Sequence, residues 1–308
     1  MAAPGPLLHS ALWHSGLDPE LTNASIPAPA LQATARAAAY GDSLFETILM
    51  TGNRGWLLKR HLCRLERGLA VLQLQPPPVA QVAMILDAAA TAAAEHAHSI
   101  LKLQVSAAAP GRGYGRAQDA SSSLSAALFS AGMRAQVRHD PARVRLCDTR
   151  LAEQPLLAGV KHGNRLEQVL ASNEWQAAGF DEGLMLSTAG LVIEGTHSNV
   201  IMQRAGVLVT PALARAGVAG VFRERLLELA SIGVDDLSLA DLSQADGLWL
   251  VNSVFGLRAV AELQLPGQLL RFDPQHAKPA QQILEKALDT SLSTDLDQCS
   301  GATIGVAA

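Results

Sequence analysis

The hydrophobic pattern of the chain changes near Met133, and this change predicts two parts with different architectures. Before Met133, helical periods alternate with strand-like runs, whereas after it most apolar segments are short and bounded by polar or glycine-containing turns. The length of 308 residues favours the same division, because a single core rarely grows beyond about 250–300 residues. We therefore predict an α+β fold with a smaller N-terminal α/β domain over residues 1–132 and a larger, mixed and strand-rich C-terminal domain over residues 133–308.

A leucine repeat dominates the first part. Leu62, Leu65, Leu69 and Leu72 are spaced by three, four and three residues, which predicts a helix with one buried stripe. Arg64 lies near the start of this predicted helix, and the three prolines from Pro76 end it. The other predicted elements are a strand that follows a turn within Tyr40–Met50, a helix over Val79–His98, and strands over Ile100–Ala107 and Ser123–Ser130 on either side of a glycine-rich turn.

The second part contains six predicted strands and two predicted helices. The first helix follows Asn164, and Glu167 three residues later gives the pair the form of a capping box. The second helix follows Gly220. The strands are predicted over Arg143–Cys147, Gly183–Ser187, Leu191–Glu194, Asn199–Gln203, Val207–Thr210 and Leu248–Val251.

Charge and composition exclude several classes of function. The formal net charge of −4 comes from interspersed acidic and basic residues, so we expect no nucleic-acid partner. The first residues have no basic signal-peptide region and no uninterrupted apolar span follows, so we expect no membrane association. The three cysteines lie far apart, which favours a reducing cytoplasm, and the histidines show no metal-ligand spacing, so no metal is expected.

One lysine stands apart from the other four. Lys161 ends the apolar run that begins at Leu156 and immediately precedes a predicted helix, where its ammonium would be partly desolvated. Burial lowers the pKa of an amine, which is what a Schiff-base lysine requires. The alternative is a lysine at a strand end whose stem is buried and whose charge reaches solvent.

Two further segments have the chemistry of an anion and cofactor site. Glu194 closes an apolar run and is followed by small hydroxyl and amide residues, so it could hold a cationic ring nitrogen. Gly217–Arg223 leads into a predicted helix, and backbone N–H groups at a helix start bind phosphate well. Either segment alone could equally be an ordinary turn or helix entry.

Taken together, these segments resemble the fold-type IV family of pyridoxal-phosphate enzymes, which includes D-amino acid and branched-chain aminotransferases and a lyase. The resemblance extends from Arg36 over most of the chain, and its parts occur in the order found in the family. They are YGDSLFET from Tyr40, HLCRL with Arg64, the lysine at Lys161, EGTHSN from Glu194, GVAGVF from Gly217, and Asn252-Ser253.

The resemblance implies a role for each motif and places pyridoxal 5′-phosphate between the two domains. Lys161 would bind the cofactor covalently and transfer protons as the catalytic residue. Glu194 would pair with the ring nitrogen, and Arg64 would bind the phosphate with Ser253 and the backbone amides of Val221 and Phe222. Other cofactor-binding residues implied by the EGTHSN match are Thr196, Ser198 and Asn199.

Two stretches resemble the lyase branch of the family, which converts 4-amino-4-deoxychorismate to 4-aminobenzoate and pyruvate in folate synthesis. They are LLAGVKHGNRLEQVLA, around Lys161, and GRGYG, from Gly111. Arg112, Tyr114 and Asn252 are the implied substrate-binding residues, and the small-molecule substrate and a second copy of the chain in a homodimer are the implied partners. The alternatives are an aminotransferase for D- or branched-chain amino acids and a non-catalytic homologue that only binds a ligand or partner.

Overall fold

The computed structural model describes residues 7–11, 35–108, 113–116, 121–131 and 140–299. In chain order its elements up to residue 130 are β1 (Leu7–Ala11), α1 (Arg36–Tyr40), β2 (Ser43–Thr51), β3 (Arg54–Trp56), α2 (Leu58–Val71), α3 (Val79–Ala93), β4 (His98–Ala107) and β5 (Ser122–Ser130). They are followed by β6 (Ala142–Leu146), α4 (Leu166–Ala177), β7 (Glu182–Leu186), β8 (Val192–Gly195), β9 (Asn199–Arg204), β10 (Val207–Pro211), α5 (Val221–Leu229), β11 (Ile232–Asp235), α6 (Leu239–Ser243), β12 (Gly247–Asn252), β13 (Gly256–Leu265), β14 (Gln268–Arg271), α7 (Pro274–Thr294) and β15 (Leu296–Gln298).

The chain divides into two compact units that are not continuous in sequence. The N-terminal unit contains the described residues up to 131, the short segment Val160–Asn164, and the end of the chain from Asp295. The C-terminal unit contains residues 140–159 and Arg165–Thr294. The boundary predicted between residues 132 and 133 lies outside the described residues.

An antiparallel sheet of six strands forms the centre of the N-terminal unit. Its order is β1-β5-β4-β2-β3-β15, so its last strand comes from the far end of the chain. Helices α2 and α3 contribute to the apolar core of this unit, with side chains that include Leu62 and Ile85 against Ile48 and Leu101. The predicted leucine stripe is confirmed for Leu62, Leu65 and Leu69, which are buried, while Leu72 follows the last residue of α2.

A glycine brings α2 close to β2. A Cβ atom at Gly68 would lie 2.8 Å from a methyl group of Leu44, so a larger residue would force the helix or that side chain to move. Glycine inside a helix costs free energy relative to alanine, and the close contact with β2 explains its use here. The helix begins at Leu58, so Arg64 lies in its middle rather than near its start, as the sequence had suggested.

A mixed sheet forms the centre of the C-terminal unit. Its order is β11-β10-β9-β12-β13-β6-β7-β8, and β14 pairs with β13. The neighbours β10 and β11, β13 and β6, and β6 and β7 are parallel, and the other pairs are antiparallel. Antiparallel sheet in one unit and mixed sheet in the other confirm the predicted α+β class.

Helix α4 packs against β7 through a close contact. A Cβ atom at Gly183 would lie 2.4 Å from Cys147 Sγ and 2.6 Å from the Trp175 ring. Cys147 and Trp175 are both buried, and the thiol of Cys147 donates to the Ala171 carbonyl at 3.6 Å. The space that this glycine leaves empty is therefore filled by side chains of α4 and by Cys147.

All six strands predicted after Met133 are present, displaced by at most one residue at either end. Two long elements received no boundaries from the sequence: β13, and α7 with Pro279 inside it. Of the helices in the part of the chain that the structure describes, none is long and apolar enough to cross a membrane.

The helix predicted over Val79–His98 is too long by five residues. Helix α3 ends at Ala93, and His98 begins β4 opposite Thr51. The N–H of Gly52 also donates to the Ala97 carbonyl at 3.2 Å. Pairing with β2 therefore outweighs the high helix propensity of the alanine-rich run.

The capping box predicted at α4 is wrong. The N-cap residue is Arg165, and it makes no side-chain capping bond. Glu167 instead accepts a hydrogen bond from the Ala152 N–H at 2.8 Å. Asn164 belongs to the N-terminal unit, where its side chain lies so close to Gly41 that no Cβ atom would fit there.

We expect Gly183→Ala to destabilise the C-terminal unit by about 1–3 kcal/mol, because the added methyl group has no space against Cys147 and Trp175. Gly233→Ala is the matched control on β11, where a Cβ atom would meet its nearest neighbour at an ordinary 3.7 Å. Its effect should stay within about 0.5 kcal/mol. Urea unfolding followed by tryptophan fluorescence measures both, and equal stabilities for the two variants would contradict the packing argument.

Candidate active site

The first group of candidate residues lies where α2 packs on β2. Glu46, on β2, has 1% of its side chain exposed and accepts a hydrogen bond from Arg64 Nε at 2.8 Å. Arg64 Nη2 donates to the second carboxylate oxygen at 2.5 Å. Two parallel contacts of this kind form a bidentate ion pair, which fixes the plane of the guanidinium as well as its position.

His61 completes this group, which we call the Glu46 cluster (Glu46, His61 and Arg64). It is one helical turn before Arg64 on α2, so both side chains reach the same face of the helix. His61 is fully buried, and its Nδ1 lies 2.6 Å from a carboxylate oxygen of Glu46. Its other ring nitrogen, Nε2, is buried without a hydrogen-bond partner among the described residues.

The electrostatics of the cluster define its protonation state. Burial alone would raise the pKa of Glu46, but attraction and hydrogen bonding from Arg64, and then from His61, hold it at about 2. Burial lowers the pKa of His61, and Glu46 offsets only part of that effect, while the charges of Arg64 and Lys161 lower it further. At neutral pH, therefore, Glu46 is ionised and His61 is neutral, with Nδ1–H donating to the carboxylate.

Lys161 is attached to the same strand. The segment Val160–Asn164 runs beside the start of β2: the Phe45 N–H donates to the Lys161 carbonyl at 3.1 Å, and the Gly163 N–H donates to the Ser43 carbonyl at 2.7 Å. The segment therefore fixes the backbone of Lys161 opposite Phe45, the residue before Glu46.

Two lysines contact the aromatic ring of Phe45. Lys161 Nζ lies 4.5 Å from the ring centroid and Lys102 Nζ lies 5.5 Å from it, both within the range of cation–π attraction. Lys161 is half-buried and Lys102 is exposed. Of these two lysines, Lys161 therefore has the more desolvated environment, which is the property that the sequence predicts for a reactive amine.

The second group of candidate residues lies in the C-terminal unit around Glu194. This residue is buried on β8, and one carboxylate oxygen accepts the Val218 N–H at 2.8 Å. The neighbouring Gly217 has φ of +85°, and a Cβ atom there would lie 2.6 Å from Ile193. A glycine is therefore required for the backbone to approach Glu194 so closely.

A carboxylate that the sequence did not suggest organises the residues after Glu194. Glu182, at the start of β7, is buried and accepts hydrogen bonds from the Thr196 N–H at 3.1 Å, the Ser198 hydroxyl at 3.1 Å and the Thr196 hydroxyl. His197 Nδ1 lies 2.8 Å from the same carboxylate. Burial would raise the pKa of Glu182, but His197 and these hydrogen bonds outweigh it and lower the pKa.

The hydroxyl groups of Thr196 and Ser198 thus contact Glu182. Trp175 Nε1 also donates to the Thr196 hydroxyl at 3.2 Å. The cofactor-binding role expected for both residues stays a prediction. What the structure adds is that their hydroxyl groups bind a buried carboxylate, which fixes the loop between β8 and β9.

Asn199 shapes the entry to α5. Its side-chain amide donates to the Val218 carbonyl at 2.9 Å, and a Cβ atom at Gly220 would lie 1.9 Å from its side-chain oxygen. Gly220 is the N-cap of α5, so Val221 and Phe222 form the first turn, as predicted. The Phe222 side chain is buried, so backbone N–H groups are what this turn offers an anion.

Asn252 closes the turn between β12 and β13. Its side-chain oxygen accepts the N–H groups of Val254 and Phe255, each at 2.9 Å, and its amide donates to the His197 carbonyl at 3.1 Å. Ser253 lies within this turn. The substrate-binding role of Asn252 and the phosphate-binding role of Ser253 stay predictions. The hydrogen bond to His197 links their turn to the loop between β8 and β9.

Arg36 anchors the glycine-rich turn of the N-terminal unit. Its guanidinium is buried, pairs with Asp42 at 2.8 Å, and donates to the carbonyl groups of Gly113 at 3.0 Å and Tyr114 at 2.7 Å. The Tyr114 side chain is 87% exposed. Arg112, the other residue predicted to bind substrate in this turn, lies outside the described residues.

The predicted residues therefore form two groups, one in each unit. Lys161 and Arg64 are both attached to β2, through neighbouring residues. In the other unit, hydrogen bonds through Glu182, His197 and Asn199 link four features. These are Glu194, the loop between β8 and β9, the start of α5 and the turn at Asn252. Sequence reasoning assigned no role to Glu46, His61 or Glu182.

The fold is that of a known family. The model of the family named Amino-transferase class IV matches residues 43–263. The chain therefore belongs to the class IV aminotransferase family, whose members use pyridoxal phosphate.

Among its relatives, the chain is 32% identical to the aminodeoxychorismate lyase of Vibrio harveyi over 243 residues, which are 77% of this chain and 89% of that one. The crystal structure of the 4-amino-4-deoxychorismate lyase from Pseudomonas aeruginosa has a TM-score of 0.69 and 39% identity, and covers 84% of this chain and 96% of that one. A hypothetical aminotransferase from Mycobacterium tuberculosis, solved in a PLP-bound form, shares the fold with a TM-score of 0.72 and 24% identity, covering 91% and 96%.

Each unit, taken by itself, contains donor groups with the chemistry that such a cofactor requires. Lys161 offers an amine for the aldehyde, and Arg64 offers a guanidinium for the phosphate. Glu194 offers a buried carboxylate for a protonated ring nitrogen, and the first turn of α5, entered through Gly220, offers backbone N–H groups for the phosphate.

The low pKa of Glu46 has a consequence for acid stability. A carboxylate whose pKa falls from its ordinary 4.5 to about 2 on folding stabilises the protein above about pH 5, and this contribution is lost as the pH falls towards 2. Glu46→Gln has no such titration. We therefore expect its destabilisation relative to the wild type to shrink by up to about 3 kcal/mol between pH 5 and pH 2. Urea unfolding across this range measures the difference, and a constant difference would contradict the assigned pKa.

Proposed function

We propose that the protein is a pyridoxal-phosphate-dependent lyase that converts 4-amino-4-deoxychorismate to 4-aminobenzoate and pyruvate for folate synthesis in the cytoplasm. The similarity to two lyases over most of the length of each chain carries this proposal. The three cysteines, Cys63, Cys147 and Cys299, are free thiols, which is consistent with a reducing compartment.

The chemistry assigned to the chain is the removal of one proton. The cofactor, when bound, withdraws electrons from the substrate carbon that bears the amine. The amine of Lys161 accepts the proton of that carbon, the bond from the adjacent carbon to the enolpyruvyl oxygen breaks, and the ring becomes aromatic. The released enol takes up a proton at carbon to give pyruvate, so the two products together contain all the atoms of the substrate.

The other residues position and tune the reacting groups. Glu194 holds a proton on the ring nitrogen of the cofactor, which strengthens its pull on electrons. Arg64, Ser253 and the amides of Val221 and Phe222 bind the phosphate, with Thr196, Ser198 and Asn199 supporting the site. Arg112, Tyr114 and Asn252 are proposed to bind the substrate, since an arginine fork suits a planar carboxylate. The Arg36 anchor supports this assignment, because it fixes the backbone on either side of Tyr114.

Three outcomes are distinguished by one pair of assays. We expect release of 4-aminobenzoate and pyruvate to exceed keto-acid-dependent amine exchange with D-alanine or L-leucine by orders of magnitude. Exchange without 4-aminobenzoate would make the protein an aminotransferase, and neither activity in a protein that retains the cofactor would make it a binding protein.

Two lysine variants test the proton acceptor in the same assays. Lys161→Ala should abolish turnover, since proton transfer by a positioned base contributes about 10²–10⁴ in rate and the covalent link is also lost. Lys102→Ala, which removes the other amine beside Phe45, should retain activity. Borohydride reduction of the wild type should fix the cofactor on Lys161, and a product on Lys102 or Lys59 would contradict the assignment.

The proposed homodimer has a candidate surface on α4. Leu166, Val169 and Leu170 are 77%, 51% and 57% exposed at spacings of three and one residues, so they lie on one side of the helix. Leu156 is also exposed. Exposed apolar side chains grouped on one side of a helix are typical of an interface, and we propose that a second copy of the chain covers this side of α4.

Sedimentation tests this surface. The wild type should have twice the mass of the chain, whereas Leu166→Glu combined with Leu170→Glu should be monomeric, because two buried carboxylates without partners cannot be accommodated in an apolar interface. Val207→Glu, at an exposed apolar position on β10, is the control and should remain dimeric. A dimeric double variant would exclude α4 from the interface.

A further inference from the structure

Glu46 is a carboxylate bound to the arginine that is proposed to bind a phosphate, and an anion-binding arginine does not need a negatively charged neighbour. Its negative charge lowers the positive potential of Arg64, to which it is bound through both oxygens. A buried ion pair is also weak evidence for stability, because desolvation of the two charges offsets much of their attraction. Attraction of an anion therefore does not explain this contact. Pairing stabilises the ionised form of Glu46, but a pair of apolar residues of similar volume would often serve the stability of the unit as well.

We propose that Glu46 and His61 are positioning residues, which set the direction of the Arg64 guanidinium for the phosphate of the cofactor. This inference rests on the proposed role of Arg64 and goes beyond it, because it makes phosphate affinity depend on two residues that contact neither the phosphate nor the substrate.

The geometry of the ion pair supports a role in orientation. A guanidinium is planar and has five N–H donors in fixed directions. Glu46 engages Nε and Nη2, so the carboxylate defines the plane of the group and thereby the directions of the donors that it does not engage. A long arginine side chain would otherwise have to lose its rotational freedom when the ligand binds.

His61 in turn holds the carboxylate. Its Nδ1–H contacts the same Glu46 oxygen that accepts from Arg64 Nη2. The cost of this arrangement is visible at Nε2, which is buried without a hydrogen-bond partner among the described residues. A histidine whose second nitrogen is unsatisfied is a poor choice for packing alone, so its contact with Glu46 is the property that explains it.

The strand β2 links this cluster to the reactive lysine. Phe45 binds the Lys161 carbonyl through its N–H, and Glu46 follows it directly. The backbone of β2 therefore sets the separation between the attachment point of the amine and the carboxylate that aims the guanidinium. An arginine held by solvent or by its own helix alone would have no such fixed relation to Lys161.

The test compares pyridoxal phosphate with pyridoxal, which has the aldehyde but no phosphate. Dissociation constants are measured by absorbance for the wild type, Glu46→Gln, Arg64→Ala and the double variant. We expect Glu46→Gln to raise the dissociation constant of pyridoxal phosphate by about 10-fold or more and to change that of pyridoxal by less than about twofold. The reason is that only pyridoxal phosphate has the phosphate group that the oriented arginine binds. When Arg64 is already replaced by alanine, Glu46→Gln should raise the dissociation constant of pyridoxal phosphate by less than about a further twofold.

The opposite result has a clear physical meaning. If Arg64 needs only its positive charge, removal of the Glu46 charge should tighten the binding of pyridoxal phosphate. Tighter binding, an equal loss for both aldehydes, or a full additional loss in the Arg64→Ala background would each overturn the inference. Glu46→Asp keeps the charge but retracts it by one methylene, so it should also weaken pyridoxal phosphate selectively, and it provides the same test if Glu46→Gln does not fold.

Two histidine variants test the second positioning residue. Asparagine can place an amide nitrogen where the imidazole has Nδ1, so His61→Asn should retain the preference for pyridoxal phosphate over pyridoxal within about threefold. His61→Leu fills the space without a donor and should lose about 5-fold or more of that preference. Equal preferences in the wild type and His61→Leu would remove His61 from the inference.

The outcome is separable from that of the proposed reaction. Absence of lyase turnover in a protein that shows the expected selectivity between the two aldehydes would overturn the reaction and leave the positioning role intact. An Arg64→Ala variant that keeps the full wild-type preference for pyridoxal phosphate would overturn the phosphate assignment and the positioning role together.

Discussion

The buried carboxylate of Glu46 is the constraint on which the N-terminal group of site residues depends. Once this charge lies inside the unit, it must be paired, and Arg64 and His61 supply the pairing from adjacent turns of one helix. That requirement defines which face of α2 meets β2 and where along the strand it does so. Gly68 removes the side chain that would keep helix and strand apart. The contacts that orient Arg64 are thus the same contacts that fix the packing of α2 on β2.

The C-terminal unit also contains a buried carboxylate that is paired with candidate site residues, although the partners differ. Glu182 is buried at the start of β7, and Thr196, His197 and Ser198 of the loop that follows Glu194 contact its carboxylate. Because four of its contacts are made by consecutive residues of that loop, the loop has little freedom to adopt another conformation. Polar networks of this kind specify one arrangement when every member is satisfied. Glu46 in one unit and Glu182 in the other take no part in the proposed reaction, but each binds residues to which a role in that reaction is assigned.

The sequence was sufficient for elements whose signal is local. The leucine stripe of α2 and the short strands after Met133 follow directly from the spacing of apolar residues. The motifs in family order identified the family, and the roles they imply for Lys161, Arg64 and Glu194 stay predictions. The errors arose where distant residues compete with local preference. Helix α3 stops early because β2 pairs with His98, and Glu167 binds Ala152 instead of capping its own helix. Glu46, His61 and Glu182 received no role because their main side-chain partners lie 14 or more positions away in the sequence. Their charges also matter mainly because the side chains are buried, which local sequence does not show.

The interleaving of the two units also orders events during synthesis of the chain. The N-terminal sheet takes β15 as its edge strand, opposite Trp56, and the segment that contains Lys161 as a further neighbour of β2. Residues up to Gln298 must therefore be synthesised before this sheet can acquire β15, although β1 to β5 are all complete at Ser130. Contacts between residues so distant in sequence close slowly. The N-terminal unit is therefore the first to emerge and the last to be completed. Lys161 reaches its place beside β2 only after residues 140–159 of the C-terminal unit have been synthesised.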